Sequence, residues 1–447
     1  MRQKAKFFLS LFNSLTCLVT LLFLFLSFQH PDLIHTAVSS YAFNLGHFSD
    51  FYEYNKFYLS GNDYLPFIYM IFSIWNIPLI YFNLAVTPEN NFFSWYSLIL
   101  PSSILEIAWW KFLIVLTYTF SVILIYKIAN LVCREKELAL FVARIFATSP
   151  LVIFSVFIFG SYDIFCVFFT LLGIFYMIKD NSKLFIFFSS IAASFKYFSL
   201  LISLPLLLSK EKNIKKALLS IFCIFLICFF QFFIFFHSEV FKAEIFTLLG
   251  NKIEVHQGSF KGSLKLVAGF FYVFYLFFLF TKKKFHRDVF FKFIIFAPIL
   301  LYAVMFLLVV WHPQWIVIIC PFMALSYIYI KNRRSLIFLD ILGSLSFFVY
   351  ILIRWKGNVD VSMINFSILR DFLPSPKIFN AQIFPVKPSF FRIFFNLYLF
   401  FPLIIFYYEY REKLLNFPSQ ISKNLITLRM MLGLSFFIVS SLICIFI

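Results

Sequence analysis

The 447-residue chain is 62% hydrophobic and only 13% charged, a balance that no soluble domain of this size can bury, because a folded core grows more slowly than its chain. Its net charge of +18 would elsewhere suggest nucleic acid. Here the basic residues stand in short clusters between apolar runs, no basic–aromatic patch marks a soluble domain, and nucleic-acid binding finds no support. The bilayer is the expected solvent, with anionic headgroups as the natural partner of the basic clusters.

Arg2, Lys4 and Lys6 precede an apolar run from Phe7 to about Phe28. It is too long for a signal-peptide core and lacks a small-residue cleavage site, so it reads as a retained helix. Placing that cluster and those at Arg134/Lys136, Lys179/Lys183, Lys210–Lys216, Lys282–Arg287, Lys331–Arg334 and Arg411–Lys423 on the cytoplasmic face tests each intervening stretch for length and parity. The segment 29–103 is then the first extracytoplasmic loop. Within it, 64–82 carries Pro66 and Pro78 and is expected as a re-entrant or interfacial element. Two helices between Arg134 and Lys179 meet at Gly160-Ser161-Tyr162-Asp163.

The stretch Leu184–Leu208 is about one helix long, yet both ends are cytoplasmic by charge. Parity demands two short crossings or a re-entrant hairpin, with Lys196 at the external apex. Two further helices flank an external loop of 237–262, the next pair meets at Trp311-His312-Pro313-Gln314-Trp315, and another pair flanks a late external loop of 355–389. A last helix, 425–447, leaves the C-terminus outside. The expected fold is an all-α polytopic bundle, one transmembrane domain of about 13 crossings with a cytoplasmic N-terminus. No internal repeat is visible. The seven cysteines form no CxxC pair and no metal-ligand spacing.

This threading gathers the polar residues least suited to lipid on one side: Asp50, Glu53, Asp63, Asp163, Lys196, His256, His312, Gln314, Arg354 and Lys356. Asp50 could serve as general base for an acceptor hydroxyl, or be a solvated loop acid, and Glu53 one turn further on shares both readings. Asp163 could cap a helix N-terminus, or orient an acceptor or a divalent metal. An ammonium at the apex of a hairpin suits a lipid-linked phosphate as a point charge, against the plainer alternative of a snorkelling lysine. His312 and Gln314, between interface-loving tryptophans, could donate to a phosphate or sugar hydroxyl, while Arg354 and Lys356 read as loop charges. P-loop, Rossmann, HExxH and nucleophile-elbow signatures are absent, so nucleotide-powered or nucleotide-sugar chemistry finds no support.

The stretch Ser49-Asp50, Tyr54, Phe57-Tyr58, Gly61, Tyr64 and Pro66 resembles the first external loop of the GT-C glycosyltransferases, in particular their bacterial and mannosyltransferase-like branches. That loop has an Asp after the first helix, aromatics at helical spacing, then a Gly and Tyr-x-Pro. Gly160-Ser161-Tyr162-Asp163 resembles the family's Gly-Gln-x-Asp turn, with Ser161 for Gln. Phe195-Lys196-Tyr197 before Leu204-Pro205 is similar to its Lys-Pro hairpin, with Tyr197 for Pro. His312-Pro313-Gln314-Trp315 is similar to its late His-containing loop, and the four matches fall in family order. The resemblance implies transfer of a sugar from a polyprenyl-phosphate donor to a glycan or lipid acceptor, on the extracytoplasmic face of a bacterial plasma membrane. It implies Asp50 as catalytic base, Lys196 and His312 with Gln314 as donor-phosphate ligands, and Asp163, Glu53, Tyr54 and Tyr64 around the substrate. It implies no certain cofactor, a divalent metal remaining compatible. A transporter or flippase of lipid-linked glycan, and a polymerase or ligase using a diphosphate-linked donor, are the competing readings; a transporter should show polar residues through the full membrane depth and repeat symmetry.

Overall fold

The computed structural model describes residues 16–59, 64–85, 103–245, 260–309, 311–355, 359, 388–412 and 423–446. Among these residues every regular element is helical. Asp63, His256, Lys356 and nearly all of the 355–389 loop lie outside them.

Proline sets the first break. Helix α1 (Thr16–Ser27) stops ahead of Pro31, which cannot donate a backbone hydrogen bond but fits the first turn of α2 (Pro31–Ser39). The two are bent by 64° when α2 is taken with the short α3 (Tyr41–Asn44). Helices α4 (Phe51–Leu59) and α5 (Pro66–Tyr81) follow. The 64–82 element is thus a helix, packed on α2 and α3: buried Asn76 donates to Ala37 O and Ser40 Oγ and accepts from Trp110 Nε1. Trp110 belongs to α6 (Ile104–Cys133), opened by a capping box of Ser103 and Glu106. Trp75 and Trp109 clamp α5 to α6 by donating reciprocally to each other's carbonyls at 2.9 and 2.8 Å.

A second proline break separates α7 (Lys136–Ala147) from α8 (Pro150–Phe159), a bend of 49°. The last turn of α8, Phe154–Phe159, is π-helical. Then come α9 (Asp163–Ile178), α10 (Ser182–Phe195) and α11 (Leu200–Lys210). Lys196 has extended backbone, φ −151° and ψ 124°, and a single 3-10 turn leads from it into α11. Polar contacts fix the path. Lys196 Nζ lies 2.7 Å from Asp163 Oδ1 at the start of α9, whereas Lys210 Nζ lies 2.5 Å from Asp180 Oδ1 just past its end. The chain therefore runs back along α9 in α10 and returns in α11. The hairpin demanded by charge parity is present, with Lys196 at its apex. Its arms, 14 residues in α10 and 11 in α11, are about 21 and 17 Å long at 1.5 Å rise per residue, short of the roughly 30 Å hydrocarbon core.

The remaining helices are α12 (Ile214–Phe235), α13 (239–245), α14 (Phe260–Thr281), α15 (Arg287–Leu308), α16 (Cys320–Ser326), α17 (Arg333–Arg354), α18 (Pro388–Glu412) and α19 (Lys423–Phe446). Close approach joins the last three to α8. A Cβ on Gly343 would fall 2.2 Å from the ring of Tyr398, and one on Gly433 2.8 Å from Pro150 Cα. Between them Arg429, 2% exposed, pairs with Asp340 and donates to Ile145 O at 2.9 Å and Thr148 Oγ1 at 3.1 Å, while Tyr398 OH donates to Asp340. Every charged group of this buried network is paired.

Among the described residues five helices are long and apolar enough to cross a membrane, and seven if each bent pair is one span. The sequence count of about 13 rested on apolar length and on charge parity between the basic clusters. Proline, polar turns and Lys196 cut several of those runs into helices of 10–17 residues, α5, α9 and α10 among them. Among the described residues the protein is all-helical, with several apolar helices able to span a bilayer.

Candidate functional site

The break between α1 and α2 places Asp32 in the first turn of α2, where the backbone amides favour an anion. His30 caps that turn by accepting from Asp32 N at 3.2 Å, and its ring stacks on Phe159 at 3.9 Å. Asp32 Oδ2 accepts from Tyr162 OH at 3.3 Å and from Gln314 Nε2 at 3.2 Å. One carboxylate thus joins the first helix break, the turn after α8 and the 311–315 segment.

Beside it stands the hairpin apex. Asp163 and Lys196 are 2% and 8% exposed. Apart from their 2.7 Å ion contact, which falls outside hydrogen-bond geometry, neither the ammonium nor the carboxylate has a hydrogen-bond partner. Two aromatic faces complete the surroundings of the ammonium: Tyr64 with its ring centre at 5.4 Å and Trp315 at 4.9 Å. Tyr64 in turn meets Tyr162 edge-on at 5.4 Å, so the two acidic centres share a wall.

Local backbone explains why these groups converge. The π-turn ends at Gly160, whose φ of 73° is the left-handed region that a Cβ disfavours. A Cβ there would also fall 2.9 Å from Leu33 Cδ2, the neighbour of Asp32. Ser155 O receives both Gly160 N and, at 2.7 Å, Ser161 N, turning the chain sharply into Asp163. Behind the turn lies Lys111 of α6, fully buried. Its Nζ donates to Phe25 O (2.6 Å), Phe28 O (2.7 Å) and Phe157 O (2.6 Å), with Leu24 O at 3.5 Å. Carbonyls at the end of α1 and one of the π-turn are thereby tied to one ammonium.

The expected site residues divide. Asp163, Lys196, Gln314 and Tyr64 come together. His312 sits exposed at the rim, its ring centre 5.3 Å from Trp315 and 4.9 Å from Trp355, with the Arg354 guanidinium 5.9 Å over Trp355. Asp163 opens α9, but its carboxylate makes no capping bond and turns to Lys196 instead. Asp50 does not join them. Its side chain is 53% exposed and pairs with His47 at 2.8 Å. Helical spacing explains this, because Phe51, Tyr52 and Tyr54 turn into the core and leave Asp50 and Glu53 on the outer face. Tyr54 is buried and stacks on His47 at 4.0 Å.

Asp32 and Lys111 are functional candidates that sequence reading passed over. Both carried a signal: an acid in a Pro-Asp step directly after the first apolar run, and a lysine inside another. Among the described residues no group of three or more His, Cys, Asp or Glu side chains comes together to hold a metal ion. Chemically, the cluster offers a carboxylate held by a phenol and an amide, next to a desolvated ammonium with unused donors. Comparison with protein-family models, curated proteins and solved structures finds no match to this chain.

Proposed function

We propose that the chain is a membrane glycosyltransferase of the GT-C type, moving a sugar from a polyprenyl-phosphate donor to a glycan or lipid-linked acceptor at the hairpin-apex end of the bundle. That end is the extracytoplasmic face if the Lys/Arg clusters lie in the cytoplasm, and the short helices would complete a bundle of about 13 crossings. The observation that carries the proposal is the Lys196 ammonium, nine-tenths buried, with donors left over after its contact with Asp163. Buried donors without partners call for an explanation, and an anionic oxygen of a bound donor supplies one.

Asp32 replaces Asp50 as the general base in this reading. It follows α1 directly, the position at which the family resemblance implies an Asp, and lies one tyrosine away from the Asp163–Lys196 pair. The Asp32 carboxylate takes the proton of an acceptor hydroxyl as that oxygen forms its bond to the sugar C1. The C1–O bond to the donor phosphate breaks on the opposite face, its electron pair leaves with the phosphate, and configuration at C1 inverts. Lys196 offsets the charge gathering on the leaving phosphate, with His312 at the rim as a second donor. Trp315 and Tyr64 offer faces for the sugar ring.

An apolar groove of about 600 Å³ suits the donor's tail. Its walls include Leu201, Tyr272, Val304, Met305 and Val309, from α11, α14 and α15. Leu201 stands in the first turn after the apex, and Val309 leads into Trp311–Trp315. The groove therefore reaches the same end of the bundle as the polar cluster.

The test is consumption of a polyprenyl-phosphate sugar by membranes carrying wild type, Asp32→Asn, Lys196→Met or Asp50→Asn, each checked for folding by gel filtration in detergent. Asp32→Asn should lose about 10²–10⁴-fold in rate, the usual contribution of a general base, with Asp50→Asn unchanged. Full activity in folded Asp32→Asn would reject the base, and full activity in folded Lys196→Met would reject the site.

A further inference from the structure

At the other end of the hairpin, α9 and α11 finish beside the start of α15, and their ends enclose a cavity of about 280 Å³. Its polar lining is Asp180, Ser209, Lys210, Lys284 and Arg287; its floor is Ile178, Phe285, Phe290 and Phe291. Three cations face one carboxylate there. That carboxylate is taken by Lys210, which also donates to Met177 O at 2.7 Å and lies over the Phe290 ring at 4.6 Å. Lys284 and Arg287 are exposed, and no ion pair holds either of them among the described residues. A fourth cation crowds in: Lys212 donates to Leu208 O and Leu279 O, and burial together with the charge of Lys284 holds its ammonium below the usual lysine range.

Positive charge brought together by two segments, 210–212 and 284–287, and offset in the cavity by Asp180 alone, attracts an anion. α15 begins here, with His286 making no side-chain capping hydrogen bond and Asp288 in its first turn. The neighbouring faces are apolar and open, with Phe277 64%, Phe278 47% and Val289 48% exposed. A phosphate brought to this cavity on a lipid would thus find cations for its headgroup and bare helix faces for its chains.

We propose that this cavity is a specific binding site for the phosphate headgroup of an anionic membrane phospholipid, held by Lys210, Lys284 and Arg287 at the Lys/Arg-rich end of the bundle. The site is independent of the transferase proposal and lies at the opposite end of α9 and α11 from Asp163 and Lys196. Charge decides in favour of a phosphate anion, and the phenylalanine floor with the exposed α14 and α15 faces decides in favour of one carried on acyl chains.

Native mass spectrometry of the detergent-purified full chain, titrated with dioleoyl-phosphatidylglycerol or dioleoyl-phosphatidylcholine, tests it. Wild type should retain one phosphatidylglycerol at concentrations where phosphatidylcholine does not bind. Lys284→Gln/Arg287→Gln should weaken retention about thirtyfold, the effect of two interfacial charges. The control Lys282→Gln/Lys283→Gln removes equal charge from the same loop outside the cavity and should change retention little. Equal loss in both double variants would mean a diffuse field instead of a site, and wild-type retention in Lys284→Gln/Arg287→Gln would remove the site altogether. Displacement of the lipid by millimolar inorganic phosphate, with an equal thermal shift from phosphate alone, would reassign the cavity to a free anion and overturn the lipid proposal.

Discussion

Replacing Lys111 by Met keeps most of the side-chain volume and deletes the ammonium. Three carbonyls, those of Phe25, Phe28 and Phe157, then lose donors at 2.6–2.7 Å. Hydrogen bonds to a charged group contribute about 1.5–3 kcal/mol each, which sets a gross loss of roughly 5–9 kcal/mol. Against it stands the desolvation cost of the buried ammonium, several kcal/mol, which the methionine no longer carries. The net expectation is a destabilisation of about 2–4 kcal/mol, read from reversible denaturation of the purified protein in mixed micelles. Lys127→Met, an exposed change on the same helix, should stay within about 0.5 kcal/mol of wild type. A Lys111→Met protein as stable as that control would refute the assignment, because it would mean that the carbonyls find other partners at no cost.

Asp163→Asn strands the buried Lys196 ammonium and should cost about 3–5 kcal/mol; adding Lys196→Met should restore folding in the same denaturation assay while leaving transferase activity absent. Gly343→Ala drives a methyl into the Tyr398 ring and should cost about 1–3 kcal/mol, seen as a lower melting temperature by intrinsic fluorescence. Arg429→Met leaves Asp340 buried with one partner fewer and should cost about 3–5 kcal/mol, with Asp340→Asn in the same chain recovering much of it; additive losses would show that the two do not interact.

What could be read from the sequence was whatever lipid makes expensive. Apolar runs and basic clusters announced a helical membrane protein, and parity placed Lys196 at the apex of a hairpin that the ion contacts at Asp163 and Asp180 bear out. Asp163 was legible as either a cap or a site, and its contact with Lys196 decides where its side chain goes. Asp32 was hidden because a Pro-Asp step after an apolar run looks like any loop entry. Its partners Tyr162 and Gln314 are 130 and 282 residues away in sequence, beyond any local pattern. Asp50 stands apart from the cluster because the aromatic spacing beside it serves the packing of α4, which leaves the acid outside. Lys111, Asp340 and Arg429 are charges inside apolar runs, the same kind of signal as Lys196. What singled out Lys196 was the parity conflict, since a run that threads without conflict attracts no notice. Helix count was the least legible quantity, as apolar length cannot tell a full span from a half-length arm.

The Arg429–Asp340 pair has a consequence for how the chain is made. The acid leaves the ribosome 89 residues ahead of the base that neutralises it. Asp340 and Arg429 stand about two turns into α17 and α19, where each charge alone costs up to roughly 2.5–3.5 kcal/mol to release into lipid, the figure for a helix centre. α17 is therefore retained beside the translocon, or held by α18 through Tyr398, until α19 arrives, and α19 in turn partitions poorly without its acid. Insertion of α17, α18 and α19 becomes one event instead of several, and a nascent chain stopped before Lys423 displays an unmatched carboxylate.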